Sequence, residues 1–177
     1  MEWSFKLHGG TAAGSSALLL LLAALTWLPG TLPLTGSKWP MAAIVVFLLP
    51  VFATALVRMF LSKADRHSMW LAFRCLPGRV QAVLGALVIS GAVLMLFSTA
   101  GAGNRQAPEA KDGRYFVFEM TPDTRGTIEV SHSEYEAVLE SDQRFMLAIP
   151  GLLLAGAAYV VLAAGELRRA DAGFRSS

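Results

Sequence analysis

Three histidines, one cysteine and three tyrosines are the side chains of this 177-residue sequence best suited to acid–base, nucleophilic or metal chemistry. His132 has acidic neighbours, Glu134 and Glu136, and an imidazole beside carboxylates is a metal-ligating type of set. Glu134, however, also completes a Ser131-x-x-Glu134 capping box, so His132 reads as a solvated residue at a helix start. His8 and His67 lie far away in sequence. Cys75 stands alone, which excludes an intrachain disulfide and any C-x-x-C redox or zinc motif. H-E-x-x-H, G-x-S-x-G, P-loop and Gly-rich nucleotide patterns are all missing, and Tyr115 and Tyr135 read as packing residues. The sequence therefore predicts no catalytic, cofactor-binding or metal-ligating set, and no enzyme.

The elements that carry these residues are dominated by oil. Apolar residues make up 54% of the chain and charged residues 16%, with a mean hydropathy of +0.51. A soluble domain of this size carries about a quarter charged residues. The deficit sits in four runs: 12–28, 40–61, 80–100 and 146–166. Each approaches the ~20 residues that cross a ~30 Å hydrocarbon core as a helix. Backbone groups in lipid must be satisfied within the segment, so the expected fold is an all-α membrane protein, a four-transmembrane-helix bundle. The first run is followed by "TWLPGTLPL", without a small-x-small cleavage pattern, and is read as a retained span continuing unevenly to Leu34. A net charge of +2 gives no footprint for nucleic acid.

Lys and Arg set the direction. With the N-terminus inside, nine fall on inner segments and six on outer ones, so both termini are expected in the cytoplasm. Trp27 and Trp39 then mark the outer interface, and Trp3 and Trp70 the inner one.

The loop 101–145 is expected to be extracytoplasmic and carries nine acidic residues against five basic ones. Residues 101–113 read as a flexible lead-in. From Arg114 the period becomes two, with Phe116, Phe118 and Met120 on one face and Tyr115, Val117 and Glu119 on the other; Ile128 and Val130 alternate likewise. Pro122, Asp123 and Gly126 supply the turn of a β-hairpin over 114–130. A lone hairpin is marginal in water, so it needs a helix under its apolar face. The helix from 132 offers Tyr135, Val138 and Leu139 at helical spacing, with Glu136, Glu140 and Arg144 turned away and Glu140–Arg144 in the favourable i, i+4 order. The expected picture is a small hairpin packed on an extended fourth helix, burying two Phe, an Ile and a Val at roughly 1.5–3 kcal/mol each. Tyr115, Phe116, Phe118, Ile128, Val130 and Tyr135 are the candidate partner-binding residues; a lid over the bundle mouth fits the same pattern.

On the inner side, 62–79 reads as a short amphipathic helix in the headgroup layer. Lys63, Arg66, Trp70 and Arg74 are the expected anchors facing anionic lipids of the inner leaflet, and Trp27 and Trp39 are the expected anchors of the outer interface. Residues 167–177 form a cytoplasmic tail. Within the spans no carboxylate sits at mid-depth, which argues against a proton-coupled carrier. Ala82, Ala86 and Ser90, and Gly151 with Ala155, form small-residue stripes that suit close packing within the chain or between copies. Pro50 and Pro150 should kink their spans.

The arrangement "DGRYF…T-x-EVS-x-x-EY…RF…P", from Asp112 to Pro150, resembles small four-helix integral membrane proteins of actinobacteria, a family with no assigned activity. The resemblance covers roughly the C-terminal third and implies architecture only. The sequence leads to a multi-pass protein of a bacterial plasma membrane that serves as an interaction or accessory subunit through its outer hairpin. An oligomeric channel or transporter component is the alternative.

Overall fold

The computed structural model describes residues 3–28, 39–62 and 65–175. Along them run α1 (Trp3–Leu25), α2 (Trp39–Ser62), α3 (Arg66–Arg74), α4 (Gly78–Ala102), β1 (Arg105–Lys111), β2 (Arg114–Glu119), β3 (Gly126–Val130) and α5 (His132–Arg175). Helices α1, α2, α4 and α5 are each long and apolar enough to cross a membrane. Lys63, and the expected continuation of the first run to Leu34, lie outside the described residues.

Cross-helix contacts fix the directions. His8 Nε2 meets the Val51 carbonyl at 3.1 Å and Arg58 Nη1 donates to the Ser4 carbonyl at 3.3 Å, so α2 runs back along α1. Ser16 Oγ donates to the Gly151 carbonyl at 2.7 Å, and Ser141 Oγ to the Ser98 carbonyl at 2.8 Å. With Gly9 beside Leu162 and Gly91 beside Leu152, helix α5 runs antiparallel to both α1 and α4. At one end of the bundle the Arg58 and Arg168 guanidinium carbons lie 4.4 and 5.4 Å from the centre of the Phe5 ring, which ties the ends of α1, α2 and α5 together. The other end carries the sheet.

Helix α5 is the hub, touching α1, α2, α3, α4, β1 and β2. Leu147, Ala148, Leu154, Ala158 and Val161 on it are fully buried. Close approach depends on glycine at two crossings. A Cβ on Gly151 would sit 2.8 Å from a Leu20 methyl, and one on Gly91 would sit 2.5 Å from a Leu152 methyl.

Several expectations change. Helix α1 starts at Trp3 rather than residue 12, because Gly9 and Gly10 do not break it; Gly9 lies against Leu162 of α5. Helix α5 runs on to Arg175, so the expected tail is largely helical. Ala82, Ala86 and Ser90 face out of the bundle; α4 packs instead through Leu84, Leu87, Gly91 and Leu94. The short helix α3 does form. Asp65 caps it, its side chain accepting from the Ser68 amide at 2.8 Å; the Ser68 hydroxyl, together with that amide, holds the carboxyl below the usual carboxylate range. Met69 and Ala72 are buried against Ala163 of α5, while Trp70 is exposed and stacks on Phe73.

The lead-in 101–113 is not irregular. It contains β1, which pairs antiparallel with β2 to make a three-stranded sheet of order β1-β2-β3. Asp112 and Gly113 both take positive φ, the geometry of a two-residue Asp-Gly hairpin turn. A bulge between Gln106 and Glu109 accommodates Pro108, which has no N–H to give a ladder.

Candidate functional site

The sheet and its seat on α5 bring together most of the residues singled out from sequence. Strand β2 is central. Its register pairs Tyr115 with Val130, Val117 with Ile128 and Glu119 with Gly126 on one side, and Glu119 with Arg105 on the other. Directly paired residues share a face. One face therefore holds Tyr115, Val117, Glu119, Ile128, Val130 and Arg105. The opposite face holds Phe116 and Phe118 with Gln106, Glu109, Thr127 and Glu129, and with Arg114, whose Nη1 lies 3.6 Å from Glu129 Oε2.

The first face is the one that meets α5. Val117 is fully buried. The Tyr115 ring centre lies 4.9 Å from that of Tyr135 and 4.7 Å from that of His132, both in the first turns of α5. The expected seat built on two phenylalanines is corrected here: Val117, not Phe116 or Phe118, fills it. The two phenylalanines are half-buried on the far face and flanked by exposed Glu109, Thr127 and Glu129. Alternation alone left open which face was inward, because both faces of β2 are apolar.

Charge locks the seat. Arg105 Nε donates to Glu119 Oε2 at 3.2 Å and Arg105 Nη1 to Glu134 Oε1 at 3.0 Å, so one side chain of β1 links β2 to α5. The bonds to Glu134 and Glu119 raise the guanidinium above its ordinary range. The Thr121 hydroxyl, 2.6 Å from Glu119 Oε1, together with Arg105 holds the Glu119 carboxyl below the usual carboxylate range. The capping box is complete: Ser131 donates through both N and Oγ to Glu134 Oε2, and the Glu134 amide returns a bond to Ser131 Oγ.

Below the sheet, Arg144 departs from its expected place. It does not face away to pair with Glu140. It is 6% exposed, its Nε donates to Thr26 Oγ1 at 3.0 Å, and its guanidinium lies 5.3 Å from the Trp27 ring centre. Its Nη2 also reaches the Thr26 carbonyl at 3.4 Å. The carbonyls at the end of α1 lack intrahelical partners, and a guanidinium supplies donors for them. Trp27 also packs edge-on against Phe97, so the expected interface anchor is part of a helix–helix joint. Beside it a space of about 190 Å³ opens between sheet and bundle, lined by Ser98, Thr99, Asn104, Arg105, Ser141 and Asp142.

Other expected residues stay apart. Trp39 is exposed at the start of α2, and Arg66 and Arg74 are exposed on α3. His8, His67 and His132 lie on three different helices, and among the described residues no group of three or more His, Cys, Asp or Glu could hold a metal ion. The His132–Glu136 contact, 3.6 Å, is a pair one turn apart on α5. Sequence reading missed Arg105, Ser141 and Arg144. The available signal was their position: polar side chains at the margins of apolar runs, where helix ends leave carbonyls to be bonded.

What the site offers is a small, stiff sheet with one face seated on α5, an aromatic strip bordered by charges of both signs on the other face, and β3 at its margin. No protein-family model matches the chain, and neither a curated protein nor a solved structure matches it.

Proposed function

We propose that the protein is a non-enzymatic, multi-pass subunit of a bacterial plasma membrane that engages a partner in a membrane or envelope complex through its sheet. The observation that carries this reading is the half-buried Phe116–Phe118 strip on the face turned from α5, next to the edge strand β3. An edge strand presents unpaired backbone groups that a partner's extended segment can pair with, and aromatic residues supply the anchoring area. The strip is bordered by charges of both signs, exposed Glu109 and the Arg114–Glu129 pair at 3.6 Å. Both termini are cytoplasmic in this reading, and the sheet projects outward. The excess of Lys and Arg on the opposite segments supports that direction.

Two measurements test it. The chain isolated in mild detergent should carry a second membrane protein at fixed stoichiometry. Phe118→Ser combined with Thr127→Lys should release that protein while leaving thermal unfolding of the bundle unchanged. A sharply monodisperse monomer from the unaltered chain overturns the reading. For direction, exposed Cys75 is a native probe at the end opposite the sheet. It should resist an impermeant thiol reagent in whole cells, whereas Asp123→Cys in a Cys75→Ser background should react.

A second reading, an oligomeric channel or transporter component, is favoured by one observation: Ala82, Ala86 and Ser90 face out of the bundle. Small residues on such a face allow two copies to approach closely. Ala86→Trp should then dissociate the oligomer and abolish liposome flux; a monomeric chain with no flux removes this reading.

A further inference from the structure

The seam between α1 and α4 is much less closely packed than the seams that either helix makes with α5. At the end opposite the sheet it opens into a groove of about 430 Å³, walled by Gly9, Gly10 and Ala13 of α1 and by Val80, Val83 and Leu84 of α4. Lys6 and Arg79 also line this groove, and both are exposed. Among the described residues, neither meets a carboxylate within ion-pair distance. A second open space of about 350 Å³ follows one helical turn further along the same seam, beginning at Ala17 and Leu87. That further space is lined by Trp27 and carries no charged residue.

We propose that this seam binds a phospholipid with an anionic headgroup, one acyl chain lying in the groove and the phosphate between Lys6 and Arg79. The two halves of the site have different chemistry, and an anionic amphiphile complements both. The wall is hydrocarbon, left shallow by two glycines and an alanine, and it offers water no hydrogen-bonding partners. The two cations occur at one end of the seam only, where a basic cluster between helices attracts an acidic lipid head. The lengths agree as well. From Lys6 to Ala17 the helix rises about 16 Å, close to half of a ~30 Å hydrocarbon core, so the chain stays in one leaflet. The site rests on insertion of the bundle in a bilayer and is independent of what the sheet engages.

The test uses the full chain in nanodiscs made from equal parts of phosphatidylglycerol and phosphatidylcholine with identical acyl chains. Native mass spectrometry reads the lipid that stays bound after release. The unaltered chain should retain phosphatidylglycerol in preference. Lys6→Gln with Arg79→Gln should lower that preference by about thirtyfold, from about 1 kcal/mol per basic residue near an anionic lipid. Gly10→Phe adds bulk at a position where a new Cβ meets no atom within 4 Å. It should lose the adduct without a fall in melting temperature. Equal retention of the two lipids, or an unchanged preference in the double variant, overturns the site. Displacement of the adduct by inorganic phosphate alone identifies a free-phosphate site and overturns the lipid assignment. Failure of the unaltered chain to enter the discs overturns the membrane reading and this site together, whereas lost selectivity in a chain that does enter overturns the site alone.

Discussion

Helices α2 and α5 each carry a proline inside a long apolar run, with mean hydropathies of 2.2 to 2.4 over their most apolar windows, yet 6% of that window is buried in α2 and 50% in α5. Hydropathy measures the cost of leaving water, and lipid tails satisfy that demand as well as protein does. What separates the two helices is the small and polar minority. Helix α5 has Gly151, Ala155 and Ala158 for close approach, and Ser141 and Arg144 as cross-helix donors. Helix α2 buries a single residue among those described, Ala55, and turns Val46, Leu49, Phe60 and Leu61 outward.

The comparison breaks most readily by overfilling. Gly151→Val forces atoms into Leu20, which is itself buried, and overpacking costs about 1–3 kcal/mol. The value should lie within that range in a detergent unfolding titration, because a new Cβ would already sit 2.8 and 2.9 Å from two Leu20 carbons. Ala42→Val, exposed on α2, should stay within about 0.5 kcal/mol of the unaltered chain. An equal loss at both positions would mean that α2 is covered by more than lipid.

Next in size is Arg144→Ala. It removes charge-assisted bonds to Thr26 and the contact with Trp27 that join the end of α1 to α5. Hydrogen bonds to charged groups contribute about 1.5–3 kcal/mol, and a loss of about 2 kcal/mol is expected, with Trp27 emission shifting to the red. Arg58→Ala removes a guanidinium that bonds the exposed Ser4 carbonyl and lies over the Phe5 ring, and it should cost less, about 1 kcal/mol.

The same pair of helices shows what could be read from sequence. Four apolar runs were visible because oil-solubility is a sum over many residues and tolerates local error. The β2–β3 hairpin and the start of α5 were visible because period-two alternation and the Ser131–Glu134 box are short-range signals. Strand β1 was missed although Asp112-Gly113 marks a two-residue turn, because Pro108 and the bulge beside it erase the alternation. The inward face of β2 was not legible, since Phe116, Val117 and Phe118 are all apolar and only the docked helix decides between them. Arg144 reads as solvent-facing on a wheel drawn for α5 alone. Its burial depends on Thr26, 118 residues away, which no local pattern contains.

A smaller effect tests the α1–α5 seam directly. Ser16→Ala deletes a buried bond to the Gly151 carbonyl but leaves a cavity of only one oxygen. Side-chain bonds between membrane helices average about 0.6 kcal/mol, and that loss is expected here. Thr11→Ala, whose hydroxyl bonds the Leu7 carbonyl of its own helix, should be closer to neutral.

The smallest effect is confined to the sheet and asks whether it belongs to α5 as firmly as the spans do. Glu119 has a folded-state pKa depressed by Thr121 and Arg105, while in the unfolded chain it takes its ordinary value. A depressed carboxylate contributes stability that is present in full above the unfolded pKa and is lost as the pH falls through the folded one. Hydrogen exchange of the β2 amides, corrected for the intrinsic rate, should therefore quicken as the pH drops below about 4. Amides buried on α5 near Leu154 should keep their protection over the same range. Glu119→Gln should lessen the acid response, and adding Glu134→Gln should remove most of what remains, because Glu134 is likewise held below its ordinary range by Ser131 and Arg105. If the β2 amides and those of α5 lose protection together, the sheet is not a separately titrating attachment but part of the same cooperative unit as the hub helix.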